Sequence, residues 1–334
     1  MKLHKKIILI LSSIIILLLI VNGCSNKKST KVTLAEVTHS IFYAPQYVAL
    51  TEGFFEEEGL DVEIINTKGA DKTMAALLSN EADIGFMGPE ASIYVYNQGK
   101  KDYAINFAQL TQRDGSFLIG REKDDTFTFN KLKGKTIIGG RKGGVPEMTL
   151  EYVLKKNGLK IGKDVTVRTD IQFSVMAGAF TNGEGDYVAL FEPVATSLEK
   201  EGKGYIVLSI GKESGYIPYT CYSAKKSYIE NNPDIIQKFT NAIYKGQLWV
   251  QNHSEKEIAK SISSQFPDTD INTLSAVIRR YKSQDTWAKD PILKEDSLNH
   301  LMDIIKLAGE LDKKAPYEKI VTTQFAKKSV ENIK

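Results

Sequence analysis

Residues 132–158 read LKGKTIIGGRKGGVPEMTLEYVLKKNG, and this stretch decides the fold class. Thr136–Ile138 is a short run of β-branched residues, which favours a strand. Gly139-Gly140-Arg141-Lys142-Gly143-Gly144 then supplies a turn. Pro146 suits a helix start, Met148 to Lys156 reads as helix, and Asn157-Gly158 stops it. The unit is therefore strand, glycine turn, helix.

The same unit recurs on both sides. Strands are expected at Val32–Val37, Val62–Ile65, Ile84–Met87, Ala104–Leu110, Thr136–Ile138, Val165–Arg168, Val188–Phe191 and Tyr205–Ile210. Helical patterns lie between them, as at Gln46–Leu50 after Pro45 and at Met74, Leu77 and Leu78 after Asp71. Strands alternating with helices predict an α/β fold with largely parallel sheets. Beyond about Ser227 the pattern turns helical: Pro233–Gln251, Ser254–Phe266, Ile271–Lys282 and Ser297–Leu311 carry apolar residues three and four apart. Gln109–Arg121 and Tyr216–Ala224 read as strands that cross between two units. The expected division is residues 32–116 as lobe 1, 117–219 as lobe 2, and 220–334 returning to lobe 1 with the C-terminal helices.

Composition narrows the classes. The chain has 334 residues, 42% hydrophobic and 25% charged, as a globular protein does. Its 44 Lys+Arg stand against 41 Asp+Glu, and Lys2, Lys5 and Lys6 account for the excess. The rest of the chain is formally neutral, which gives no electrostatic reason to expect nucleic acid as a partner. Two cysteines, Cys24 and Cys221, exclude a disulfide-stapled scaffold. Cys221 lies among strand formers and reads as a small buried hydrophobe. The four histidines are not paired at ligand spacing, so no metal is expected.

The N-terminus carries basic residues, then an apolar run from Ile7 to Val21, then Asn22-Gly23-Cys24. This is the layout of an export signal covering residues 1–23, and the run is short for a spanning helix. Val21-Asn22-Gly23-Cys24 resembles the lipobox of bacterial lipoproteins, although Asn22 departs from the usual small residue. That resemblance implies lipid attachment at Cys24, palmitate among the acyl chains, and residues 24–31 as a tether.

Phe42-Tyr43-Ala44-Pro45-Gln46-Tyr47-Val48-Ala49 leads into Glu52-Gly53-Phe54-Phe55 and on to Gly59-Leu60-Asp61-Val62. With Asn80-Glu81-Ala82-Asp83-Ile84-Gly85, Leu132 to Gly139, and Ala189-Leu190-Phe191-Glu192-Pro193, this order resembles the solute-binding proteins of ABC importers for nitrate, sulfonates, taurine and thiamine pyrimidine precursors. The resemblance implies a two-lobed periplasmic-binding-protein fold of type II with two inter-lobe crossings. It also implies a monomeric, extracytoplasmic, membrane-anchored protein that hands a small molecule to a permease and its ATPase. No cofactor and no catalytic constellation are required for capture.

In open α/β sheets ligands sit beyond the carboxyl ends of the strands. The candidates follow from that rule. His39, Phe42 and Tyr43 follow the first strand. Gly88 and Glu90 follow another, where Glu90 could equally serve the helix dipole. Gly143 and Gly144 could present backbone N–H groups or form a plain turn; the family's cleft-facing loop favours contact. Glu192 ends a lobe 2 strand, and Gln109, Thr111, Arg113 and Tyr219 lie in the crossings. Asp170 reads as a helix cap, and Trp287 as a pin for the tail.

Carboxylates beside aromatics disfavour an anion, because like charges would be desolvated together. They suit ring N–H and amino groups, so a nitrogen heterocycle such as a thiamine pyrimidine precursor is the expected ligand. An anion binder is the alternative. A pyrimidine synthase on the same fold is a further one: His39 stands where that family's reactive histidine does, but the iron-binding cysteine motif of such enzymes is missing. A sensory lipoprotein using the fold without a transporter is also open.

Overall fold

The computed structural model describes residues 29–333, so the expected signal segment and Cys24 lie outside the described residues. Among the described residues ten strands form two five-stranded sheets. In spatial order the first sheet is β2 (Leu60–Asn66), β1 (Thr30–Glu36), β3 (Ile84–Met87), β10 (Thr220–Lys225) and β4 (Ala104–Thr111). The second is β7 (Val165–Arg168), β6 (Lys135–Ile138), β8 (Tyr187–Phe191), β5 (Ser116–Gly120) and β9 (Tyr205–Ser209). Within each, the early strands are parallel (β1 with β2 and β3, β6 with β7 and β8) and the crossing strands β10 and β5 pair antiparallel.

The chain passes between sheets through 112–115, joining β4 to β5, and returns through 215–219 into β10. These are the two inter-lobe crossings of a type II arrangement. The parallel strands in both sheets end toward the seam between the units, which is where the physics of open α/β sheets puts a ligand.

The helices that position the site are α1 (Ala44–Thr51), α2 (Ala70–Ser79), α3 (Glu90–Asn97), α4 (Val145–Lys156), α5 (Val194–Lys200), α6 (Pro233–Asn252), α7 (Glu255–Ile262), α8 (Ile271–Ser283) and α9 (Glu295–Leu307). Pro45, Pro146 and Pro233 sit in the first turns of α1, α4 and α6, where a missing N–H costs nothing. Helix α7 opens with a capping box between Ser254 and Glu257. Helix α9 stops at Leu307, before the expected Leu311, because Gly309 takes the left-handed conformation (φ +81°).

Beneath the first sheet, Phe86 stacks on Tyr222 at 4.4 Å, and Phe239 of α6 packs against Tyr222 at 5.1 Å. Each such fully buried aromatic contributes about 1.5–3 kcal/mol. Gly246 of α6 permits the close approach of α1, since a Cβ there would stand 2.3 Å from the Pro45 carbonyl oxygen. Cys221 is buried between β3 and β4, and burial pushes its thiol well up, as befits a small core hydrophobe. The last helices touch both units: α6 and α7 lie on α1, while α9 lies on α4.

Candidate functional site

Ser40 lies just beyond the first strand and caps the short turn Ile41–Tyr43, its hydroxyl accepting from Phe42 N at 3.2 Å. That cap turns Phe42 into the seam. Its ring meets Phe191 of β8 at 5.7 Å, Tyr219 of the return crossing at 5.6 Å and Tyr281 of α8 at 5.2 Å. Gly115 in the outgoing crossing makes room, because a Cβ there would lie 2.5 Å from the Phe42 ring. Trp287 donates from Nε1 to the Phe42 carbonyl at 2.8 Å and bridges Thr111, so it pins the tail to the site. Phe42 is 1% exposed, and both units close over it.

Tyr43 packs on Phe86 at 4.5 Å, and burial raises its hydroxyl's pKa far above the usual value. Nearby, Met87 ends β3 and Gly88-Pro89 leads into α3. Glu90 is 6% exposed and folds back over the helix N-terminus. Gly88 is its cradle: a Cβ there would stand 2.0 Å from Glu90 Oε2. That oxygen has no hydrogen-bond partner in the protein, and burial pushes the carboxyl up to about 7.

The outgoing crossing holds a second carboxylate with a free oxygen. Asp114 is 0% exposed. Its Oδ1 accepts from Ser116 N at 2.6 Å, while Oδ2 makes no well-formed hydrogen bond; burial raises the group to about 6. The Tyr219 hydroxyl and the Thr149 hydroxyl of α4 stand near enough to ease that rise, yet neither reaches bonding geometry. The Tyr94 hydroxyl on α3 is likewise buried without a partner. Electrostatic influence ties these groups together: Asp114, Tyr43 and Glu90 all bear on the Tyr219 hydroxyl. Native interiors rarely leave such groups unmade, so a cluster of them marks a place built for something else.

The remaining candidates sit as follows. His39 is half-buried at the edge, one ring nitrogen 2.9 Å from Glu36 Oε1 and the other 2.8 Å from the Gln265 carbonyl, and the Glu36 contact raises its pKa. Gln109 donates to the Thr111 carbonyl and its own backbone carbonyl accepts from Gln247, while Thr111 and Thr220 share a hydroxyl bond at 2.9 Å. Arg113 turns away to the Gly211 carbonyl and covers the Tyr216 ring at 3.9 Å. Gly143 (φ +75°) donates to Glu147 Oε2 at 3.2 Å, and Gly144 precedes α4. The same loop brings Arg141 to 4.0 Å from Asp71 and Lys142 to 3.8 Å from Glu310. Asp170 is an exposed partner of Arg168 at 2.7 Å.

Glu192 is spoken for within the protein. Its oxygens accept from Thr196 N at 2.8 Å and Thr196 Oγ1 at 2.9 Å, and Arg280 of α8 pairs with it while also reaching Glu199 at 2.8 Å. Phe42, Tyr43, Glu90 and Tyr219 thus converge, and Glu192 lies alongside in a closed ion-pair network. Sequence reasoning passed over Asp114, Thr149 and Tyr94. An acid followed by glycine inside an expected crossing was the available signal for Asp114; nothing distinguished the other two.

Among the described residues no group of three or more potential ligands could hold a metal, and no helix is long and apolar enough to cross a membrane. The chain is 52% identical over 299 residues, 90% of each chain, to "Putative binding protein YtlA" of Bacillus subtilis. It is 25% identical over 237 residues, 67% of this chain and 66% of the other, to 4-amino-5-hydroxymethyl-2-methylpyrimidine phosphate synthase of Schizosaccharomyces pombe. In fold it matches the alkanesulfonate-binding protein SsuA of Xanthomonas axonopodis pv. citri bound to MOPS, with a TM-score of 0.71 at 15% identity over 89% of this chain and 99% of that one. Two lobes, two crossings and the seam are thus a periplasmic-binding-protein fold. The family model for NMT1/THI5-like proteins matches residues 41–257, and the chain belongs to that family.

Proposed function

We propose that this protein is the solute-binding component of an ABC importer: it captures a small molecule between its lobes and delivers it to a permease and its ATPase. The observation that carries the reading is the seam, where buried aromatics from both units pack together and Glu90, Asp114, Tyr219 and Thr149 keep buried polar atoms without partners. A ligand that bonds to both units stabilises the closed state over the open one. Lobe closure is then the signal that a permease reads. The lobe boundaries at residues 116 and 219, the monomeric state, and anchoring outside the cell through lipid on Cys24 belong to the same proposal.

The proposed ligand is a nitrogen heterocycle such as a thiamine pyrimidine precursor. Free carboxylate oxygens accept from ring N–H and amino groups, and Phe42, Tyr43 and Tyr219, buried in the closed form, would present faces to a flat ring as the lobes part. Similarity also favours binding over catalysis: the chain is 52% identical to a protein named for binding and 25% identical to one named a synthase. A thermal-shift screen over pyrimidines, thiamine, sulfonates, nitrate and amines tests the reading. A ligand at 100 times its Kd adds roughly 2.7 kcal/mol of stability. Release of a new product from a supplied precursor would instead make the protein an enzyme, and a screen with no binder would remove capture altogether.

A further inference from the structure

Resting on that capture reading, we infer that Glu90 and Asp114 form an electrostatic gate that lets the lobes close fully only around a cationic ligand with at least two N–H donor groups. The two carboxylates come from different parts of the fold. Glu90 stands at the start of α3, beyond the end of β3, and Asp114 lies in the crossing between the sheets. Each keeps one buried oxygen, Oε2 and Oδ2 respectively, without a well-formed hydrogen bond. The Tyr219 hydroxyl is influenced by both.

The protein supplies these carboxylates with little positive charge of its own. Arg141 acts on Glu90 from a distance and is drawn to Asp71 in the first turn of α2. Arg113, next in sequence to Asp114, sends Nη1 to the Gly211 carbonyl and covers the Tyr216 ring, while its buried Nε makes no hydrogen bond to either acid. Glu36 and Glu192, two other buried acids, are already met: Glu36 by Gln46, Tyr47 and His39, Glu192 by Thr196 and Arg280. Glu147, buried on α4, accepts from Gly143 N, and burial with Glu151 beside it raises its carboxyl to about 7; Glu151 and Glu310 are paired with Lys155 and Lys142. Closing the lobes therefore desolvates two acids that lack cationic partners, which is unfavourable unless a cation enters with them. Burial raises both carboxyls, in keeping with that cost. A bound cation returns them to the ionised form. A nitrate or sulfonate would place a third negative charge among them.

The gate predicts two behaviours of the full mature chain. With benzamidinium, agmatine and 4-amino-5-hydroxymethyl-2-methylpyrimidine as cationic or protonatable probes, at least one raises the melting temperature, whereas nitrate and methanesulfonate do not. E90Q and D114N each weaken the responding probe at least tenfold. Both substitutions keep the side chain's shape, and the amide introduced by D114N retains an oxygen that can accept from Ser116; circular dichroism checks folding. The second readout needs no ligand. At about pH 8, where both acids are ionised, small-angle scattering of the E90Q/D114N double variant gives the compact profile without ligand, while the wild type compacts only with the probe. A wild type that answers an anion and no cation overturns the gate and leaves capture standing. Unchanged probe affinity in both single variants, or a double variant that scatters as open as the wild type, overturns it as well. Silence from every probe of either charge, with no compaction under any condition, takes down the capture reading along with the gate.

Discussion

Glu90 and Glu192 occupy matching positions in the two halves of the molecule. Each follows an apolar strand and adjoins a proline at a helix start: Glu90 is the first residue of α3, and Glu192 stands two residues ahead of α5. In the second half Thr196 and Arg280 satisfy the carboxylate completely. In the first half Gly88 removes a side chain so that Glu90 can fold over the helix start, yet one oxygen stays unmet. The difference is a cation brought from a helix 88 residues further along the chain. One carboxylate fastens the tail to the second sheet, and the other keeps a buried oxygen without a partner.

The comparison breaks most readily at Arg280. R280M leaves Glu192 buried without its cation, and the expected loss is about 3 kcal/mol of unfolding free energy in urea titration. A loss below about 1 kcal/mol would mean that the Thr196 bonds alone hold Glu192. The opposite sign is expected in the first half. Glu90 rises from 4.5 to about 7 and Asp114 from 3.8 to about 6. The closed, ligand-free form therefore binds more protons than the unfolded chain between roughly pH 4 and 7. Its stability falls as pH rises through that window and levels off above it. The Glu90 shift alone corresponds to up to about 3 kcal/mol. E90Q should flatten the slope, measured as melting temperature across that window, and ligand affinity in the wild type should climb with pH over the same range. An unchanged slope in E90Q would show that Glu90 is solvated.

Smaller effects sharpen the picture. G88A pushes a methyl group into Glu90 Oε2 and displaces the carboxylate. We expect a tenfold loss of ligand affinity, about 1.4 kcal/mol, by calorimetry. R141A removes a 4.0 Å contact between exposed groups and should change stability by less than about 0.5 kcal/mol. A larger change would make that loop a latch between the halves.

Much of the fold was legible in the residues themselves. All eight expected strands are present, β3 (Ile84–Met87) and β7 (Val165–Arg168) at their expected limits. Period, proline and glycine act locally, so they can be read locally. The expected crossing stretch Gln109–Arg121 is broken at 112–115 into β4 and β5, because the chain must turn at Asp114-Gly115 to leave one sheet for the other. The placement of Phe42 and Tyr43 beyond β1 followed from the carboxyl-end rule and needed no tertiary information. Asp114, Thr149 and Tyr94 were not legible, since an unpaired buried oxygen is defined by what fails to reach it.

The amino-acid sequence by itself determined the alternation of strands and helices, the two passages between sheets and the set of residues at the strand ends, because each depends on neighbours within a few positions. Only the tertiary structure decided which of those end residues remained unpaired. That depends on where Arg280, Arg141 and Arg113 come to rest, and long-range packing alone sets the distance between charges far apart in the chain.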